Sequence, residues 1–102
     1  MPVTIQMVYR LVDSIRQTLI NEGCIIALYN GSEKVAELPI SVEAYGSQVI
    51  VHAEDNSANE YAFNKLVIET ATGVPFFVWN DELRQKTNLN RVIVDWVIPV
   101  GG

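Results

Sequence analysis

The single histidine, His52, is the side chain whose ordinary pKa lies nearest neutral pH, so it is the first candidate for acid–base chemistry. Residues two apart in a strand share a face, which places Glu54 to orient the imidazole as a carboxylate partner. Such a pair would centre a small enzyme on His52, but the sequence signals no nucleophile beside it. The alternative is a histidine at a strand end, half exposed to solvent.

The single cysteine, Cys24, excludes an intrachain disulfide and, even together with His52, supplies too few ligands for a structural zinc site. It follows a predicted helix, and the negative end of the helix dipole raises the pKa of a thiol. Its apolar neighbours Ile25 and Ile26 favour a small buried side chain. We therefore expect no metal, no cofactor and no catalytic residue.

A polar loop in the middle of the chain gathers the hard oxygen ligands that Ca²⁺ prefers. Its carboxylates and amides are Glu54, Asp55, Asn56, Asn59 and Glu60. The spacing lacks the Asp-x-Asp-x-Asp-Gly pattern and the terminal glutamate of an EF-hand. A solvated hairpin loop is therefore favoured over a ligand or metal site.

Six aromatic residues in the C-terminal half offer flat faces on which a sugar can stack. They are Tyr61, Phe63, Phe76, Phe77, Trp79 and Trp96. Adjacent residues in a strand point to opposite faces, so half of this set must face a core or a partner. Core and interface packing is favoured, and a small β-sandwich module that binds a glycan or a peptide is the alternative.

The elements that must position these residues begin with a helix. Apolar residues recur at spacings of three and four at Ile5, Val8, Val12, Ile15 and Leu19. This stripe predicts a helix over residues 5–22. Thr4 is placed to cap its start, and Gly23 to adopt the left-handed conformation after its last turn.

After Gly23 the apolar period changes to two, which predicts a β-rich region over residues 24–100. Asn30-Gly31 predicts a tight hairpin turn. Pro39 predicts an edge strand or a bulge, and a slip in apolar phase predicts a bulge near Asn64-Lys65. The predicted strands cover residues 24–29, 34–44, 48–53, 61–70, 75–79 and 91–100. Residues 80–90 are polar and are predicted as a long loop or one helical turn at 81–86.

This order of elements predicts one α+β domain spanning residues 1–102. The N-terminal helix precedes about six mainly antiparallel strands, which form a sheet, a sandwich or a partly open barrel. A run of strands without intervening helices argues against a parallel nucleotide-binding sheet.

The composition of the chain indicates which classes of partner are favoured and which are disfavoured. The net charge of −5 and the pI near 4.6 disfavour a nucleic-acid partner. No stretch approaches the ~20 apolar residues of a membrane span, and Arg10, Asp13 and Arg16 interrupt any signal peptide, so we expect synthesis in the cytoplasm. Nearly half of the residues are apolar, which is more than a small domain buries easily. A homo-oligomer or a contact with other structural subunits is favoured over a tight monomer.

The C-terminal strands resemble those of small β-rich structural proteins of tailed phages and related viruses, such as tail, fibre and head-decoration proteins. The similar features are polar Asn59-Glu60 leading into a Tyr-x-Phe-Asn-x-Leu-x-Ile strand at residues 61–68, then Gly73, then a closing Val-x-Val-x-Trp-x-Ile strand at 92–98. The resemblance covers about the C-terminal 45 residues and lies in strand patterning. It implies a non-catalytic subunit of a particle or filament that acts by assembling.

A subunit that acts by assembling needs apolar residues that anchor its core or its interface. We predict these anchors at Val8, Val12, Ile15, Leu19, Phe77, Trp79, Val94 and Trp96. The strand that carries Pro39 and the last strand, residues 92–100, are the predicted lateral contacts.

Overall fold

The computed structural model describes residues 5–100, with side chains described from Met7 onward, so the predicted cap Thr4 and the Ile5 side chain lie outside the described part. Helix α1 (Ile5–Asn21) precedes six strands: β1 (Ile25–Asn30), β2 (Glu33–Tyr45), β3 (Gln48–Asp55), β4 (Tyr61–Glu69), β5 (Pro75–Lys86) and β6 (Val92–Pro99). All pairings are antiparallel, in the order β5-β4-β1-β2-β3-β6, and the sheet curls into a nearly closed barrel. The predicted α+β fold with a partly open barrel is confirmed.

Helix α1 ends in a hydrogen-bonded C-cap. The N–H of Gly23 donates to the carbonyl of Ile20, and the N–H of Cys24 donates to the carbonyl of Leu19. This pair of bonds defines a Schellman motif, which requires the left-handed φ of +62° that Gly23 adopts. The prediction for Gly23 is confirmed, and the apolar contact of the motif brings Leu19 and Cys24 into the core.

Two short hairpins join β1 to β2 and β2 to β3. Asn30 pairs with Glu33 across Gly31-Ser32, as the sequence predicts, and Tyr45 pairs with Gln48 in the same way. Gly31 has a φ of +63°, which suits the first central position of a two-residue hairpin turn. Asn64 in β4 accepts a hydrogen bond from the N–H of Gly31 at 2.9 Å, which ties the first hairpin to the sheet.

Strand β2 lies inside the sheet, so of the two alternatives predicted from Pro39 the edge strand is wrong, whereas a bulge in this strand is confirmed. Residues 33–39 pair with β1, and residues 40–45 pair with β3. Pro39 stands where β2 passes from one partner to the other, and a proline is tolerated at such a break in the ladder. The irregularity in this strand lies at Val35, which is left unpaired where the register shifts between Leu28 and Tyr29.

Strand β5 is longer than its sequence suggests. Its register with β4 shifts between Phe63 and Lys65, which confirms a bulge near Asn64-Lys65, although β5 carries the extra residues. Beyond the bulge, β5 continues to Lys86 against Tyr61, so the prediction of a loop or helical turn over residues 80–86 is wrong. Pairing with β4 overrides the polar composition, because an edge strand leaves most of its side chains in water.

The core lies between helix α1 and the inner face of the sheet. The predicted anchors Val8, Val12 and Leu19 are buried in it, and Ile15 packs against it. Phe77, Val94 and Trp96 also pack against this core while remaining partly exposed, whereas Trp79 is exposed. The helix stripe therefore covers the protein's own sheet.

Candidate functional site

The two ends of the sheet face each other without pairing. Strands β5 and β6 are the first and last in the sheet order, and a groove of about 640 Å³ separates them. We call it the seam groove. Its walls are Phe63, Leu66, Trp79, Asp81, Arg84 and Gln85 on the β4–β5 side, and the unbroken run of residues 90–97 on the β6 side. The barrel is thus open along one line.

Both tryptophans of the chain line the seam groove. Trp79 lies directly opposite Leu66 on the inner face of the sheet, yet Trp79 is 57% exposed and Leu66 only 7%. Trp96 lies opposite the buried Val51 on the same inner face and is half-buried. Two aromatic side chains that point inward remain accessible because no strand covers the gap between them.

Many of the large exposed apolar side chains lie on the two strands that flank the seam groove or next to them, and Trp79, Ile93 and Val97 line it. Those on β5, on β6 and in the segments beside them are Val74, Phe76, Val78, Trp79, Leu83, Leu89, Ile93 and Val97. Others lie on helix α1 and at Tyr45 on the second hairpin. Neighbouring exposed apolar residues of this kind are typical of association surfaces.

One ion pair stands at the rim of the seam groove. Nε of Arg84 donates to Oδ2 of Asp81 at 2.6 Å, across the bulge of β5. The guanidinium, helped by the backbone N–H of Glu82, lowers the pKa of the Asp81 carboxyl. The pair fixes the bulged segment and gives the rim charges of both signs.

Lys86 lies beside the polar loop that was considered, and disfavoured, as a Ca²⁺ site. It is fully buried, and its Nζ donates to the backbone carbonyls of Ser57, Asn59, Thr87 and Asn90. These carbonyls belong to the β3–β4 and β5–β6 connections, so one ammonium group joins both loops. The sequence did not single out Lys86, because its partners Ser57 and Asn59 lie 29 and 27 residues away along the chain.

The predicted ligand loop directs its side chains to the chain itself. Asp55 accepts hydrogen bonds from the N–H of Ser57 and from the hydroxyl of Tyr61, each at 2.8 Å. Partial burial acts to raise the pKa of Asp55, but these hydrogen bonds together lower it. The N–H of Asn59 donates to Oγ of Ser57. No predicted metal ligand of this loop joins a cluster able to hold an ion within the described residues.

His52 stands on the outer face of β3 between two carboxylates. Its Nδ1 lies 2.5 Å from Oδ1 of Asp95 on β6, and its Nε2 lies 3.1 Å from Oε1 of Glu54. A protonated ring donates to both, so Asp95, and after it Glu54, raise the pKa of His52. The Glu54 partner was predicted, whereas Asp95 arises from the β3–β6 register. Both ring nitrogens are engaged, so neither has a lone pair directed to a substrate.

A second polar cluster lies on the outer face of β1, β2 and β4. The hydroxyl of Tyr29 donates to Glu69 at 2.6 Å, and Nζ of Lys34 contacts the same carboxylate at 3.2 Å. Glu69 is buried, and Lys65 stands over the Tyr29 ring at 4.9 Å from its centroid. Hydrogen bonds from Lys34 to Glu37 and Glu69 raise the pKa of Lys34 to about 12. No sequence motif predicts this cluster, because its residues are brought together by the register between β1 and β4.

The single cysteine, Cys24, is not a reactive group. Cys24 is buried, and burial, followed by the nearby Glu22, raises the pKa of its thiol, as expected of an inert side chain.

Within residues 5–100, no helix has the length and apolar character needed to cross a membrane. Comparison of the chain with protein-family models, with curated proteins and with solved structures yields no match.

Proposed function

We propose that this chain is a non-catalytic structural subunit that associates with copies of itself in a viral or phage-like particle or filament. The observation that carries the proposal is the concentration of exposed apolar side chains on β5 and β6, the two strands at the ends of the sheet, each unpaired along one whole edge. An unpaired edge with apolar side chains is a template for lateral contact between subunits. The assembly would thus form through the side of the barrel that the chain leaves open.

Strand β6 and the first half of β5 carry little of what usually prevents such contact, whereas the second half of β5 carries the charged residues Asp81, Glu82 and Arg84. Strand β6 has no lysine or arginine, and its outer face exposes Ile93 and Val97 beside the single acid Asp95. On β5, Val78 is exposed on the outer face. Natural edges are commonly protected by charged side chains, especially lysine. These apolar positions support a contact surface rather than a solvated edge.

The viral or phage-like setting comes from the strand patterning of residues 59–98 described above. Subunits of such particles work by shape and association, which is compatible with a domain whose histidine is engaged by two carboxylates. Electron microscopy of the assembled material tests this part of the proposal. Rings, tubes or shells of regular subunits would support it, and amorphous or absent assemblies would contradict it.

Light scattering coupled to gel filtration tests self-association. We expect a defined oligomer at micromolar concentration for the natural chain, and a shift to monomer for the double variant Val78→Lys with Val97→Lys. The matched control is Tyr45→Lys, since Tyr45 is 73% exposed but lies on the second hairpin, outside the seam. A monodisperse monomer for the natural chain across this range would refute the proposal.

A further inference from the structure

We propose that the seam groove accepts one extended segment of a different polypeptide, which adds as a strand between β5 and β6 and completes the barrel. This inference goes beyond self-association, because the occupant of the seam groove would be a different polypeptide and not a second copy of this chain. It rests on the backbone edges, the inward-facing aromatic residues and the folded state of the connections.

The backbone on both sides of the groove fits a strand. Each of β5 and β6 is paired on one edge only, so each presents a row of N–H and C=O groups on its other edge. The β6 wall is formed by every residue from 90 to 97, which places the strand backbone itself against the groove. Neighbouring strands lie almost 5 Å apart, so one inserted strand spans a gap of roughly 10 Å. Only an extended polypeptide has hydrogen-bonding groups for both rows at once.

The inner wall sets the side chains of the incoming segment. Trp79 and Trp96 stand on opposite sides of the groove, with Phe63 and Leu66 behind Trp79. Every second residue of an inserted strand would face this wall, which is apolar at the tryptophans and polar at Arg84, opposite Phe63, and the residues between would face solvent. The groove therefore fits a segment with apolar residues at alternate positions. Binding would bury Trp79, which is 57% exposed although it faces inward.

An intact second copy does not fit the groove in this way. A strand that already belongs to a sheet has at most one free edge, so an edge strand of another copy can pair with β5 or with β6 but not with both. The connections beside the groove are also folded on themselves. Thr87 donates its N–H to Oδ1 of Asn90 at 2.7 Å, and Lys86 holds both loops by their carbonyls. The described part of the chain thus offers no unpaired strand to donate.

Intrinsic fluorescence gives a direct test, because both tryptophans of the chain line the groove. The probe is a blocked peptide of alternating valine and threonine with a lysine at each end. We expect saturable binding with a blue shift of the emission. The control peptide is identical but N-methylated at every second residue, which removes the donors of one edge while keeping the side chains. We expect it to bind at least about tenfold more weakly.

Two variants locate the binding. Trp79→Lys introduces a charge into the groove wall and should weaken peptide binding about tenfold or more. Tyr45→Lys makes the same change at an exposed aromatic residue away from the groove and should leave binding unchanged. Amide hydrogen exchange provides a readout that does not depend on tryptophan: the peptide should protect residues 92–97. Equal binding by the methylated peptide, or binding unaffected by Trp79→Lys, would overturn the inference.

The test separates this inference from the proposed function. The titration is done at a protein concentration at which light scattering reports monomer, so that no copy occupies the groove. A monomer at all concentrations that binds the peptide would refute self-association alone. An oligomer whose monomer fails to bind the peptide would overturn the strand-acceptor inference alone. Binding of maltohexaose in place of the peptide would also overturn it, because it would make the groove a glycan site.

Discussion

The closed side of the barrel, where β1 lies between β2 and β4, and the seam between β5 and β6 share the same inward alternation of apolar residues. They differ in how far those residues are buried. On the closed side β1 is paired on both edges, and its inward residues Ile26 and Leu28 are fully buried. At the seam, Trp79 follows the same inward alternation but is exposed, because no strand covers β5 on its outer edge. On β5 the missing neighbouring strand therefore leaves an inward-facing apolar residue exposed, whereas on β6, which also has one neighbour, Ile98 is still buried in the core.

The outer face of the closed side is also covered. Ala27 and Val67 point outward, opposite the core, and are nevertheless buried. The polar cluster of Tyr29, Lys34 and Glu69 lies beside them on the same face. The outer face of β6, in contrast, exposes Ile93 and Val97. The closed side has polar groups that bind each other, whereas the seam leaves apolar groups available to partners.

The largest difference is expected from truncating one inward residue on each side. Ile26→Ala removes a fully buried side chain between two paired strands and should lower the free energy of unfolding by about 4 kcal/mol. Trp79→Ala should lower it by less than about 1 kcal/mol, despite the larger side chain, because Trp79 is already exposed. Urea unfolding of the monomer measures both. Equal losses would show that the seam is closed in solution.

We expect Lys86 to contribute almost as much to the free energy of unfolding as Ile26, although Lys86 lies near the seam. Lys86→Met removes a buried ammonium and leaves four carbonyls without their donor, which should cost about 3 kcal/mol. The control Lys65→Met removes a lysine from the Tyr29 ring and should cost no more than about 1 kcal/mol. Both are measured by urea unfolding. Similar small losses would mean that the two connections do not depend on Lys86.

The polar cluster of Tyr29, Lys34 and Glu69 on the closed side should contribute less to the free energy of unfolding. Tyr29→Phe removes the hydrogen bond to the buried carboxylate of Glu69 and should lower the free energy of unfolding by about 1.5 kcal/mol. Tyr45→Phe removes a hydroxyl that is exposed on the second hairpin and should have almost no effect. Thermal unfolding of the two variants side by side makes the comparison. A Tyr29→Phe variant as stable as the natural chain would show that the cluster is only a solvated surface.

The smallest effect is a pH dependence at the β3–β6 pairing. Asp95 and Glu54 raise the pKa of His52, so its contribution to stability is complete below the ordinary value of 6.5 and is lost as the pH rises through the raised pKa. His52, then Asn56, lower the pKa of Glu54, so that contribution is lost as the pH falls below 4.5 towards the lowered pKa. Stability from this cluster is greatest between these limits.

The chain has one histidine, so a single imidazole resonance reports its titration by NMR. We expect a midpoint above 6.5, and we expect His52→Gln to abolish the loss of stability as the pH rises above 6.5. The variant Glu43→Gln, which changes an exposed acid on the neighbouring β2, serves as the control and should keep the pH dependence. A midpoint at or below 6.5 would contradict the arrangement of the two carboxylates.

Features decided within a few residues could be predicted from the sequence. The helix stripe, the C-cap at Gly23, the hairpin at Asn30-Gly31 and the bulge near Asn64-Lys65 follow from local backbone preference and side-chain period. The pairing of His52 with Glu54 belongs to the same class.

Features decided by register between distant strands could not be predicted. Asp95 reaches His52 from 43 residues away, and Tyr29 reaches Glu69 from 40 residues away. The extension of β5 to Lys86 depends on β4, since its polar residues have no strand pattern of their own. Pro39 was misplaced for the same reason, because a break between two partners looks like an edge when only one strand is considered.

The division of β2 between two partners has a consequence for the order of folding. Two-residue turns connect β1, β2 and β3, so these strands meet with little loss of chain entropy. Strand β4 pairs with β1 at a long separation in sequence, as the pairing of Ile25 with Glu69 shows, because β2 and β3 lie between them in the chain. We expect the three-strand meander to form in the transition state and β4 to dock later. Slower folding on Val51→Ala, together with faster unfolding but unchanged folding on Val67→Ala, would reveal this sequence of events, and the reverse pattern would exclude it.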